Sequence, residues 1–156
     1  MDTVSLRKDQ KISRKKETDN CFFIRSRKML KNISVTLDVE DLRPSDIFED
    51  RSKLMTEKVL DLFAEMEIRA TIFVVGDVAA RHPELIRKAV KSGHEIGLHS
   101  HKHIPLQLLN PGHFEQELSE AKRSLEDISG QQVNGYRAPT MSLTHETRWA
   151  VPIMQK

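Results

Sequence analysis

Cysteine occurs once, at Cys21, in a chain of 156 residues, so no internal disulfide can form and a cytoplasmic location is the default expectation. No apolar run approaches the roughly 18 residues that a membrane-spanning helix needs. The basic N-terminus is never followed by the apolar stretch of a secretory signal. No glycine-rich phosphate loop opens a helix, which argues against a Rossmann-type nucleotide site, and no repeat of fixed period points to a solenoid. What remains is an ordinary globular composition, 38% hydrophobic and 31% charged, long enough for one domain with a real core.

Charge is unevenly distributed. Residues 1–32 hold ten Lys/Arg against four acids, net +6, whereas the remaining 15 basic and 19 acidic residues give 33–156 a net charge of −4. Such a leader could face nucleic acid, but its basic residues are not interleaved with aromatics and form no known module. Residues 1–31 are therefore expected to be a disordered basic leader or an extension of the reading frame, and nucleic-acid binding is the weaker reading. Cys21-Phe22-Phe23-Ile24 is a small apolar patch that could dock onto a domain formed by 32–156.

Beyond the leader, periodicity alternates between two and 3.6. Ile33 to Asp38 is a β-branched alternating run and reads as a strand ending in the acids Asp38, Glu40 and Asp41. Leu42 to Asp46 is then a loop, with Pro44 barring a helix. Leu54, Val59, Leu62, Phe63 and Met66 recur at helical spacing over 53–67. Ala70 to Val75 is a continuous apolar run closed by Gly76, which suits a strand buried on both faces. Val78, Leu85, Ile86, Ala89 and Val90 form the stripe of a second helix ending at Ser92-Gly93, with Pro83 opening its main body. Glu95–Leu98 is a third strand. Pro111-Gly112 breaks the next loop, and Phe114, Leu118, Ala121, Leu125 and Ile128 predict a third helix stopped by Gly130. Asn134–Arg137 is a fourth strand candidate. A fourth helix is expected from Thr144 as N-cap, carrying His145 on its surface and Trp149 in the core.

This βα alternation predicts a parallel sheet with right-handed crossovers. A complete (β/α) barrel takes roughly 250 residues, so the 124 residues of 33–156 are expected to form part of one. In parallel α/β folds, sites lie at the C-terminal ends of strands. There the sequence places Asp38, Glu40 and Asp41, then His99 and His103, then Arg137. His99 and His103 are four apart, which puts both imidazoles on one side of a turn. An isolated H-x-x-x-H is as compatible with a solvated polar turn as with a ligand pair. With a carboxylate on the same rim it suits Zn²⁺ or another divalent transition ion. His101, between the two, is expected to point away.

Three motifs in order also match a known family: Thr36-Leu37-Asp38-Val39-Glu40-Asp41, His99-Ser100-His101-Lys102-His103 and Tyr136-Arg137-Ala138-Pro139. Arg69 to Gly76 and His82-Pro83-Glu84-Leu85 look similar too. Over 33–156 the chain resembles the polysaccharide deacetylase (NodB-like) family of carbohydrate esterases, in the branch whose first motif reads D-V-E-D. The resemblance implies a deformed (β/α) barrel and metal-dependent removal of N-acetyl groups from a carbohydrate. It implies Asp38 as general base, Arg137 as the residue that holds it, and Glu40, His99 and His103 as ligands of a divalent metal, Zn²⁺ first, with Asp41 the substitute for Glu40. Ser100 would orient the turn.

The same resemblance implies further strands carrying an Asp/Trp motif and a late histidine acting as general acid. His145 and Trp149 do not fit those positions, so the chain reads as truncated after the third motif. Two alternatives follow: a non-catalytic remnant that at most binds metal, and an amidohydrolase of a small non-sugar amide, as in the allantoinase-like members of this branch.

Overall fold

The computed structural model describes residues 33–41, 43 and 50–156. The basic leader with its Cys21 patch, Leu42, and the Pro44–Asp46 part of the first loop lie outside the described residues. Val35–Lys156 belongs to one compact unit.

Three parallel strands, β1 (Thr36–Val39), β2 (Thr71–Val74) and β3 (Glu95–Leu98), pair in the order β1-β2-β3. The register is even, with Thr36 opposite Thr71 and Thr71 opposite Glu95. The third strand coincides with its expected span. The first begins three residues later than expected, because β2 offers only four residues to pair with and Ile33 stays 60% exposed. The fourth strand candidate is reduced to a single parallel bridge between Leu98 and Tyr136. The Leu98 N–H donates to Gly135 (2.8 Å) and the Arg137 N–H to Leu98 (2.9 Å) before Pro139 turns the chain away.

Helices α1 (Ser52–Glu65), α2 (Gly76–Arg81), α3 (Pro83–Lys91) and α4 (Pro111–Ser129) follow the strands. The stripe expected for α1 is corrected: Leu54, Leu62 and Met66 are exposed, and the buried line is Ser52, Thr56 and Leu60, with Phe63 beside it. These positions share one face at a four-residue step, and that face meets the core. The helix expected after Gly76 divides in two at His82, since Pro83 cannot donate into the preceding turn and starts α3 afresh. Gly93 takes a φ of +81° after α3. Pro111-Gly112 opens α4 instead of breaking a loop: Asn110 caps it by accepting from the His113 N–H at 2.9 Å, and Gly130, at φ +69°, ends it. No helix begins at Thr144. That segment is turn, followed by a 3₁₀ turn (Arg148–Ala150) and the four-residue α5 (Val151–Met154). His145 is exposed. Trp149 is half-buried, its ring edge-on to Phe114 at 5.7 Å.

The core lies on one face of the sheet, where Val39, Ile72, Val74, Ile96 and Leu98 meet Leu60, Val78, Leu85, Ile86, Ala121 and Leu125. A smaller cluster gathers Leu106, Phe114 and Ala150. β2 is not buried on both faces: Ile72 and Val74 point to the core, while Thr71 and Phe73 are half-buried on the other side. The Phe73 ring lies over two neighbouring glycines, since a Cβ on Gly97 would lie 2.6 Å from the ring and one on Gly135 3.3 Å. Among the described residues, no helix is long and apolar enough to cross a membrane.

Candidate metal centre

The C-terminal ends of β1 and β3 converge on one rim. Glu40 follows β1 and His99 follows β3. Beyond His99 the chain turns through Ser100 (φ +59°) and His103 (φ +58°), left-handed values that non-glycine residues adopt at a cost of about 1 kcal/mol or more each. The turn is held from several directions. The His99 N–H donates to Val74 (2.8 Å), Ser100 Oγ accepts from the His103 N–H (2.7 Å), and the Ser100 and His101 carbonyls accept from the Gly76 and Asp77 N–H groups (3.0 Å each). Gly76 is required here, since a Cβ would lie 2.4 Å from His101 Nδ1.

In this turn the His103 and His99 Nε2 atoms lie 2.7 and 3.2 Å from Glu40 Oε2. The two rings meet edge to face at 4.9 Å. Among the described residues, Glu40, His99 and His103 are the group whose potential ligand atoms come within 4.8 Å of one another. The His99 tautomer follows from its other nitrogen. Nδ1 lies 2.8 Å from the Arg137 carbonyl, which can only accept, so Nδ1 carries a proton, and in the singly protonated ring the lone pair is on Nε2, towards Glu40. Glu40 Oε2 is buried without a hydrogen-bond partner. A carboxylate oxygen facing an imidazole lone pair is unfavourable unless a cation lies between them. Two nitrogens and one oxygen are a donor set that fits a divalent transition ion.

The two other acids of the first motif go elsewhere. Asp38 Oδ1 accepts from Arg137 Nη1 at 2.5 Å, and its Oδ2 is 4.0 Å from His99 Nε2. Arg137 is fixed twice more, by Thr36 Oγ1 at 3.0 Å from Nη2 and by the Phe73 ring 4.1 Å beneath its guanidinium carbon. Asp41 binds Arg43 through both oxygens (2.8 and 2.5 Å) and caps the Arg51 N–H at 2.9 Å. Those contacts hold its carboxyl far below the usual range and leave it outside the ligand group. His101 also stays outside, 3.5 Å from Asp77. Thr36 and Phe73 carry no motif that marks them as site residues in the sequence. Their signal was position, on the strand faces that end at the acidic and arginine motifs.

An open groove of about 720 Å³ runs along this rim, lined by Asp38, Glu40, His99, His103, Arg137, Ala138, Thr140, Met141 and Leu143.

Comparison with known proteins gives a consistent result. The polysaccharide deacetylase family profile matches residues 45–153. The chain is 38% identical over 72 residues to a chitooligosaccharide deacetylase of Sinorhizobium fredii, covering 46% of this chain and 34% of that protein. It is 27% identical over 105 residues to a peptidoglycan-N-acetylglucosamine deacetylase of Bacillus cereus, covering 66% and 38%. A solved peptidoglycan N-acetylglucosamine deacetylase, Bc1960, shares the fold at a TM-score of 0.63 and 21% identity, over 76% of this chain and 51% of that one. The chain thus spans a little over a third of the curated relatives it matches and about half of the solved structure.

Proposed function

We propose a function from one premise: the chain belongs to the polysaccharide deacetylase family. The reading is a divalent-metal-dependent hydrolase, with Zn²⁺ as the ion, that cleaves the amide of an N-acetylated carbohydrate to acetate and a free amine. The observation that carries it is the convergence of the buried Glu40 Oε2 with the His99 and His103 Nε2 atoms beside an Asp38 held by Arg137.

Glu40, His99 and His103 would hold the metal, which when bound polarises a carbonyl and acidifies water. His99 is set for this by its Nδ1 bond to the Arg137 carbonyl, which fixes both tautomer and ring plane. Asp38 would act as general base. With one oxygen on Arg137, the other, Oδ2, is left for the attacking water. As the carbon–oxygen bond forms, Asp38 takes the water's proton. As the carbon–nitrogen bond breaks, the departing amine needs one, and the proton on Asp38 balances it. Arg137 serves twice, orienting the base through its side chain and a ligand through its carbonyl.

The test is acetate release from N-acetylglucosamine oligomers by the purified chain loaded with Zn²⁺. Release that stops on chelation and returns with Zn²⁺ is the expected outcome. No release with any divalent ion would remove the reading.

A further inference from the structure

The groove has one wall that the chemistry above does not use, the turn Pro139–Leu143. Thr140 and Met141 are consecutive residues in the left-handed region, at φ +52° and +53°. L-residues with a Cβ avoid that region, and two in succession persist only where their neighbours dictate it. The neighbours do. Pro139 is buried, and Ser142 is 1% exposed. The Ser142 N–H donates to the Pro139 carbonyl (2.9 Å), its Oγ accepts from the Leu106 N–H (3.1 Å), and its carbonyl accepts from Thr147 Oγ1 (2.6 Å).

Between these anchors the Met141 side chain stands 90% exposed at the mouth of the groove, with Leu143, 46% exposed, beside it. A single exposed apolar side chain needs no explanation. An apolar side chain displayed by a strained turn that is pinned by buried hydrogen bonds, facing a constellation of Asp38, Glu40, His99, His103 and Arg137, does need one. We propose that Met141 is a substrate-contacting residue, the apolar platform for the C–H face of the pyranose ring next to the N-acetyl group being cleaved. Thioether flexibility suits such a surface, because the side chain adapts to an irregular apolar face without a fixed rotamer. This assignment rests on the deacetylase reading for the identity of the ligand.

The test separates contact from fold. In zinc-loaded Asp38→Asn protein, where turnover is suppressed, calorimetric titration with the β-1,4-linked tetramer of N-acetylglucosamine gives the affinity. Adding Met141→Gly should weaken binding about tenfold, the scale expected for a lost apolar side-chain contact. Adding Met141→Leu should keep it within about twofold. Glycine accepts the positive φ freely, so the thermal midpoint of Met141→Gly should be equal or higher, a direction opposite to that of a structural role. Equal affinity in the glycine variant would overturn the assignment, as would absence of tetramer binding in the parent. A change of sedimentation state on Met141→Gly would overturn it too, since the side chain would then belong to a protein contact. Wild type that releases no acetate while tetramer affinity still depends on Met141 would remove the deacetylase reading and leave the contact standing.

Discussion

Strand β3 has a histidine at each end, His94 before Glu95 and His99 after Leu98, and both are 3% exposed. Their chemistry is opposite. His94 Nδ1 accepts from the Ala70 N–H at 3.1 Å, so the lone pair is consumed and the Nε2 proton faces the interior, near the Phe63 ring at 5.8 Å. His99 Nδ1 donates to the Arg137 carbonyl, so its lone pair is on Nε2 and turned to Glu40. Equal burial therefore leaves the two rings chemically different, because the direction of the backbone hydrogen bond decides which nitrogen keeps a lone pair. The backbones differ in the same sense. The chain enters β3 through Gly93, for which a positive φ is easy, and leaves through Ser100 and His103, for which it is not.

The contrast can be broken at several points. On the rim, Asp38→Asn should lower acetate release by about 10²- to 10⁴-fold, the usual range for a general base, with zinc content unchanged. Parallel kinetics and metal analysis would show this, and activity within tenfold of wild type would place the base elsewhere. At the other end, His94→Ala should destabilise the protein by about 2–3 kcal/mol in urea denaturation, by emptying a buried site and stranding the Ala70 N–H. A shift below about 0.5 kcal/mol would make His94 dispensable.

A subtler effect follows from titration. Burial first, and the Arg69 charge second, hold the His94 pKa below the ordinary histidine value. The unfolded chain binds this proton at about pH 6.5 and the folded chain does not. The contribution is therefore fully present above about pH 6.5 and is lost as pH falls through the folded value. In metal-free protein the urea midpoint should be lower at pH 5.5 than at 7.5, and His94→Asn should flatten that difference. An unchanged acid slope in the variant would contradict the assignment. Smallest of all is Thr36→Val, which removes one of the three supports of Arg137. A drop of about three- to tenfold in kcat/KM is expected, the worth of one hydrogen bond.

Much of the rim is legible in the sequence, because strand ends in a parallel sheet gather their residues whatever the details of packing. Asp38, Glu40, His99, His103 and Arg137 all fall where βα alternation puts them. Glu95–Leu98 was bounded by unambiguous signals, Gly93 before and the histidines after. Faces and short elements were less legible. Leu54, Leu62 and Met66 look like a buried stripe, yet Ser52, Thr56 and Leu60 face the sheet, since hydrophobicity names a helix but not its rotation on the core. Phe73 looked like interior, but it serves as the surface beneath Arg137. The expected helix from Thr144 yields to turns tied down by Ser142 and Thr147. The opposed histidine tautomers have no sequence signal, because they depend on an N–H group 24 residues away and a carbonyl 38 residues away, respectively.

On the proposed reading, β3 carries a structural histidine at one end and a metal ligand at the other. Zinc content after equilibrium dialysis tests it most directly in wild type, His94→Asn and a His99→Asn, His103→Asn double variant. About one zinc per chain is expected in the first two and close to none in the third. Equal zinc in all three, or its loss from the His94 variant alone, would contradict it.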